Sequence, residues 1–530
     1  MCRIVLNSGA VGSQPLVVGR ESRLLLSLPN LNMSTSLRFL GRLAAFASLL
    51  VLAVLAPAQN AFSPGGTDYA IAGALPGDQT WPQVSVNTNG GVLVWTDNAA
   101  DTNGFGIRAV RLTTGLLKSG SIFRANSIQA GDQEHPQVSM LQNGGAALVW
   151  QGGKLGFQKI YARFLAATGT NFLATDVLVN TYTNSFQINP VVTTLTDGSV
   201  VIIWASDGQD GAYQGIYGQR FTSAGVKSGT EFRVNEFTAN NQRSPAVAAL
   251  AGGGFVVAWV SELERGPTTV DIYARLYNAA GVAAGSEFPV NVGLPMCAMP
   301  SVAGASGGGF AVAWAARDIP RAYSAGSSVS GIEATAYYAN SWDIIASVFN
   351  VSGGTATATG APFRLNTVTY GDQTAPKLSA FGGNYLCTWI SLGQDTAWEG
   401  VYGQFFSGAG SLAGVEFRAN TTTAGRQINP TVASDGVSRF LVTWSSFVAV
   451  NGFDLLARVY DLIRVDIAPV AGGMKISWNT QPGSNYQVQV SADYVNWSNQ
   501  GSARTAAGFN DSITVTAQFT VAAYRVIRIQ

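Results

Sequence analysis

The chain has 530 residues, of which 12% are charged, and a formal net charge of +1. That is about half the charged fraction of an average soluble protein, and no basic stripe of the kind a phosphate backbone requires is present, so nucleic acid is excluded as a partner. One histidine and three cysteines leave too few ligands for a zinc centre of His and Cys.

Residues 1–32 resemble neither a domain nor a signal, which points to Met33 as the true start. Residues 34–58 read as an export signal: Arg38 and Arg42 open it, 43–55 is almost wholly apolar, and Ala56-Pro57-Ala58 offers a small-x-small cleavage site. The apolar core is too short for a comfortable membrane span, and no lipid-attachment cysteine sits at the cleavage site. A mature chain of 59–530, secreted or at the cell surface, is expected.

From 59 to 462 the chain repeats. Pro82, Pro136, Pro190, Pro245, Pro300, Pro376 and Pro430 recur every 54 or 55 residues, except for an interval about 20 longer between the fifth and sixth. Each is followed 13 or 14 residues later by a tryptophan: Trp95, Trp150, Trp204, Trp259, Trp314, Trp389 and Trp444. Such a period means a solenoid, a propeller or an array. In the fourth copy, PAVAAL (245–250), FVVAW (255–259), IYARLY (272–277) and EFPVN (287–291) are four strand-like runs separated by turn residues. Asn-Gly or Asp-Gly at Asn89, Asn143, Asp197 and Asp435 marks the first turn. No copy contains a capped helical run, so each unit is a four-stranded antiparallel meander. A lone meander cannot bury both faces. Seven of them around an axis give a β-propeller, whereas an open stack would need polar caps.

The seventh copy lacks a fourth run, and residues 67–71 (TDYAI) precede the first copy where a fourth run would fall. That segment is expected to supply the outer strand of the seventh blade. The tryptophans are expected to fill the wedges between blades, and the prolines to begin the innermost strands. Gln79, Gln133, Gln187, Gln242, Gln373 and Gln427, three residues before each proline, are expected to bridge loop backbone, with Cys297 in that place in the fifth copy. Cys387, two residues before Trp389, reads as a buried small hydrophobe, and export would also permit a Cys297–Cys387 bridge. Residues 463–530 change pattern. Short strands such as MKISW and AYRVIRI predict a small β-sandwich with Trp478, Tyr486 and Trp497 in its core.

The units QINPVV, DGSVVIIW, IYGQRF and EFRVN at 187–235 resemble the tandem-repeat units of large secreted bacterial proteins. The likeness covers roughly 67–460 and implies a repeat type rather than an activity. The tail, with MKISW and NYQVQVS, resembles small C-terminal modules related to fibronectin type III.

The chemistry is less legible. His135 occupies a repeat position held elsewhere by Trp81, Asn189, Ser244, Met299, Ala375 and Asn429, so a structural role is expected for it. The glycine runs at 252–254 and 307–309 lack the Lys-Ser/Thr of a phosphate loop, and the sialidase-like Asp-box pattern is absent. Loops between second and third strands carry Asp97 and Asp101, Asp207 and Asp210, Glu262 and Glu264, Asp318, and Asp395 and Glu399. A pair of these would serve as acid and base at separations of roughly 5 to 9.5 Å. Otherwise they are turn-forming acids. DGQDG at 207–211 is the nearest approach to a calcium loop but lacks the twelve-residue pattern. The insertion at 315–343 carries Arg317, Asp318, Arg321, Tyr323, Tyr337, Tyr338 and Trp342, and is expected to overhang the face bearing Asp207, Asp210, Asp395 and Glu399. The leading expectation is a monomeric secreted or envelope binding or scaffold protein for a glycan or protein partner, without cofactor or metal. A carbohydrate-active enzyme using loop carboxylates and a purely structural envelope protein are the alternatives.

Overall fold

The computed structural model describes residues 2–4, 61–99, 103–293, 296–317, 341–448, 452–480, 484–492, 496–508, 510–516 and 522–529. The segment 34–58 and Asp101, Asp318, Arg321, Tyr323, Tyr337 and Tyr338 lie outside them. Among the described residues every regular element is a β-strand, and no helix is long and apolar enough to cross a membrane. The chain divides into two units, Pro64–Asp461 and a second made of Leu462–Gln530 with Met1–Ser63.

The larger unit repeats one meander. In the third copy, strands Gln187–Thr194, Val200–Asp207, Gln214–Phe221 and Lys227–Arg233 lie side by side in chain order, each antiparallel to the next. Its Asp-Gly turn is a three-residue hairpin loop. Leu195 N–H donates to the Ser199 carbonyl at 2.8 Å, and Gly198 takes the left-handed φ of 83° that a side chain would resist. The other first strands are Gln79–Asn87, Asp132–Met140, Gln242–Ala249, Met296–Gly304, Gln373–Phe381 and Gln427–Ser434. The fourth and fifth meanders share one nine-stranded sheet through a single parallel pair, Val270 with Met296. On the seventh sheet the outer position is taken by Tyr69–Ala70, which pairs with Ala457 and Leu456 of Gly452–Ile463.

The prolines do not begin their strands; each lies three or four residues inside. The strand starts at the glutamine, or at the residue before it or before Cys297. A β-bulge then removes the residue before proline and the proline itself from the ladder, as between Thr80 and Gln83 or Ile188 and Val191. The bulge explains how an interior strand tolerates a residue with no N–H. It also drives the residue before proline into the left-handed region in all seven copies: Trp81, His135, Asn189, Ser244, Met299, Ala375 and Asn429 have φ between 51° and 54°.

Every sheet shares its core with the next. Val92 and Val94 of the first meet Leu148 and Trp150 of the second, Val149 and Phe164 meet Ile202 and Trp204, and Ile203 and Ala205 meet Val257 and Trp259. Val256 and Val260 meet Val312 and Trp314, and Ala313 and Ala315 meet Cys387 and Trp389. Phe381 and Phe405 of the sixth sheet pack on Phe440 of the seventh. Leu441 and Leu455 of the seventh then pack with Leu93 and Trp95 of the first, joined by Ile71 and Ala72. The seven tryptophans are at most 1% exposed, so none of them lines a ligand site. Each large ring instead fills space between two sheets, where burial of its area stabilises by a few kcal/mol.

In the second unit, Val465–Val470, Gly473–Asn479 and Asn510–Val515 form one sheet, and Asn485–Ser491 with Ala522–Ile529 centres another. Trp478, Tyr486, Val488, Tyr524 and Val526 share its core. Trp497 does not belong to it; Arg525 stacks over its ring at 4.3 Å. Cys2–Ile4, which carried no strand expectation, pairs with Ala522–Tyr524 at the edge of the second sheet.

Candidate functional site

The first strand of each meander pairs with the end of its second strand, as Gln187 with Ser206 and Gln373 with Ser391. The loop from second to third strand therefore leaves every sheet at the end where the first strand begins. The same end carries the bulges, and the Trp81 and His135 rings of adjacent sheets lie 4.5 Å apart there.

The glutamines hold this end together. Gln133 Nε2 donates to the Ala130 and Gly131 carbonyls at 3.2 and 2.7 Å, and Gln133 Oε1 accepts from Asn126 Nδ2 at 3.0 Å. Asn180 with Gln187, Asn235 with Gln242 and Asn420 with Gln427 repeat the contact. Each pair pins the loop that carries the chain from one sheet to the next.

The loop acids that sequence singled out are mostly consumed by structure. Asp210 accepts from Asn235 Nδ2 at 3.2 Å and Asp395 from Asn420 Nδ2 at 3.4 Å, at matching places in the third and sixth meanders. Gly215 and Gly400 leave room for these carboxylates, which lie where a Cβ would project. Asp207 accepts from Ser185 Oγ at 2.5 Å, and Glu399 is bound by Arg426 at 2.8 Å. Asp97 accepts from Trp95 Nε1 at 3.1 Å and lies 3.3 Å from Arg108. Glu262 is paired with Arg243 at 2.7 Å. Of the insertion, Arg317 and Trp342 are described, and the guanidinium lies 4.8 Å above the indole. The structure brings those two together and keeps the acids on their separate loops.

Glu264 differs from these. Burial pushes its carboxyl up to about 7, with the neighbouring Glu287 charge adding to the rise and a hydrogen bond from Ser261 Oγ at 2.6 Å opposing it. Matching positions hold Gln209, which donates to Glu231 at 2.5 Å, and Gln394, which donates to Glu416 at 2.7 Å. Among the described residues no three His, Cys, Asp or Glu side chains cluster as metal ligands. Cys297 and Cys387 are free and buried, and burial pushes the Cys297 thiol up to about 12.

Several loops present large apolar side chains outward. Leu155 and Phe157 on the second meander are 83% and 62% exposed, Tyr213 on the third 64%, and Trp398 on the sixth 66%. Tyr213 and Trp398 are matched: the Gly208 N–H donates to the Tyr213 carbonyl at 2.6 Å, and the Gly393 N–H to the Trp398 carbonyl at 2.7 Å. Sequence reasoning passed over them because a single aromatic in a loop has no period. The signal that could have found them is the repetition of GQD-x-A-aromatic at 208–213 and 393–398.

No family model matches the chain, and no curated protein matches it. Among solved structures it is similar to polysaccharide lyase Uly1, at 9% identity and a TM-score of 0.44 over 77% of this chain and 98% of that one. It is similar also to a Dyadobacter fermentans protein of unknown function, at 12% identity and a TM-score of 0.42 over 62% and 94% of the two chains. A Penicillium chrysogenum α-L-arabinanase complexed with arabinobiose matches at 12% identity and a TM-score of 0.39 over 76% and 97%. At these values the likenesses assign no activity.

Proposed function

We propose that residues 67–461 form a closed seven-bladed β-propeller of an exported protein, and that its loop-bearing face binds a glycan without transforming it. Support for closure comes from the core shared by the seventh and first sheets and from Tyr69–Ala70 on the outer edge of the seventh. The chain resembles tandem-repeat units of secreted bacterial proteins, and the tail a fibronectin type III-like module that anchors or presents the ring.

The observation that carries the binding reading is the contrast at one end of the sheets. Planar rings at Phe157, Tyr213 and Trp398 stand out into solvent, while the acids beside Tyr213 and Trp398 are spent on holding loops. Exposed aromatics on a rigid frame offer large contact area at low entropic cost, and flat rings suit the C–H faces of sugars. The test is affinity electrophoresis of the 59–530 chain against a panel of neutral and acidic polysaccharides, with reducing ends assayed in parallel. The expected result is retardation by at least one polysaccharide, lost in a Tyr213→Ala, Trp398→Ala double variant that melts like the parent, and no new reducing ends. Product release would establish the enzymatic alternative instead.

A further inference from the structure

The first strands follow one another in sequence around the unit, each beside the next, and the seventh lies beside the first. Their side chains meet across sheet boundaries: Ser85 Oγ accepts from Met140 N–H at 3.0 Å, Ser301 Oγ from Leu378 N–H at 3.0 Å, and Thr431 Oγ1 donates to Gln83 Oε1 at 3.4 Å. These strands therefore line the axis. They carry few charges, and nearly all are engaged. Asp132 accepts from Phe105 N–H at 3.1 Å, Glu134 is hydrogen bonded to Gln151, and Arg243 is paired with Glu262.

Lys377 is the exception. It follows Pro376 on the sixth first strand, is half-buried, and its ammonium has no hydrogen bond or ion pair among the described residues. An ammonium drawn out of bulk water without a counter-charge is costly, and burial holds it below its ordinary range. His135 stands on the first strand of the second meander, at the bulge one residue before Pro136, as Lys377 stands one residue after Pro376 on the first strand of the sixth. The imidazole is lowered to about 4, first by burial and then by Lys377, so at neutral pH it is an uncharged N–H donor. The Trp81 ring closes one side of it.

We propose that Lys377 and the His135 imidazole, brought toward each other across the axis, form an anion site that takes one carboxylate group, either a free ion or the acid group of a uronic sugar. The proposal rests on the ring closure above, because only a closed ring sets the sixth strand against the second. A carboxylate there supplies the counter-charge that Lys377 lacks and accepts from His135.

The chain's single histidine makes the test direct. The protein is labelled with ¹³C-histidine, and the imidazole titration is followed by NMR at constant ionic strength. The solutions contain a bulky sulfonate buffer alone, the same buffer with acetate, or the same buffer with trigalacturonate. Lys377→Met is expected to raise the His135 midpoint in buffer alone. No rise there refutes the channel geometry and the proposal with it. Acetate or trigalacturonate is expected to raise the midpoint by at least half a pH unit in the parent and to leave Lys377→Met unmoved. A response to both marks a site for any carboxylate, and a response to trigalacturonate alone marks an acidic-glycan site. If neither anion moves the parent, or both move the variant equally, the anion site is overturned while the ring stands.

Discussion

Thr396 is a β-branched residue with a φ of 69°, in the place that Gly211 fills in the third meander with a φ of 93°. The left-handed region costs a residue with a Cβ about 1 kcal/mol or more, and Thr396 recovers part of that by donating to the Asp395 carbonyl at 2.5 Å. Thr396→Gly is expected to stabilise the protein by about 0.5 kcal/mol, since the relief of strain exceeds the entropy glycine adds to the unfolded chain. A lower melting temperature in calorimetry would refute the strain. Glu264 supplies a second residue-scale prediction. Its native value of about 7 lies above that of an unfolded glutamate, so the native state holds the proton more tightly. The stability it contributes is complete below about pH 4 and is lost as pH rises through about 7. Glu264→Gln restores the amide–acid pairing seen at Gln209 and Gln394. The variant is expected to lose less melting temperature than the parent between about pH 5 and about pH 8; equal slopes would show that Glu264 does not carry the proton. Neither feature was legible in sequence, where Glu264 stood as one loop acid among several and nothing marked Thr396. Both become visible when each residue is set against its counterpart in another meander.

At the scale of elements, the outer strands carry a clamp. Asp176 accepts from Ser127 and Ile128 N–H, Glu231 from Thr181, Glu287 from Glu236 and Phe237, and Glu416 from Thr367. In each case an acid at the edge of one sheet binds the loop leaving the sheet before it. Asp68 does the same for Thr421 and Thr422 of the sixth meander, so the N-terminal segment performs the outer-strand role in its polar contacts as well as in its pairing. The placement of 67–71 was legible because a missing run at one end matched an orphan run at the other. The clamp was not, because a glutamate opening an outer strand looks like any solvated edge residue. Asp68→Ala and Glu416→Ala are expected to cost about 1–2 kcal/mol each, the range for a charge-assisted bond to backbone. Removing 59–72 takes away the clamp, the strand and the buried Ile71 and Ala72 together, and is expected to lower the melting temperature well beyond either point variant. A truncated chain that melts like Asp68→Ala would mean that the strand itself adds nothing.

For the Pro64–Asp461 unit as a whole, the period and the strand-rich runs carried the meanders, since turn dipeptides and alternating apolar residues act locally. Sequence pattern carried the site only as far as its end of the sheets. Which loop side chains stand free and which are spent on the loop depends on contacts within a copy between residues 25 apart in sequence, as Asn235 with Asp210 and Asn420 with Asp395 show. Packing between copies, such as the core shared by the seventh and first sheets, separates a ring from an open stack by experiment. In an open stack each sheet depends on its neighbours, and the two end sheets have one neighbour each, so they open first and at lower free energy. In a ring every sheet has two. Trp95 of the first sheet, Trp259 of the fourth and Trp444 of the seventh are equally buried, so in a ring Trp→Leu at each is expected to cost a similar ~2–4 kcal/mol. Hydrogen exchange followed by mass spectrometry is the sharper measurement. Amides of Gly90–Asp97 and Arg439–Val448, the second strands of the first and seventh meanders, are expected to exchange as slowly as those of Phe255–Glu262 in the fourth. Faster exchange confined to the first and seventh sheets would place a seam between them, because an opening that starts at free ends reaches the fourth sheet last, whereas a ring has no end at which to start.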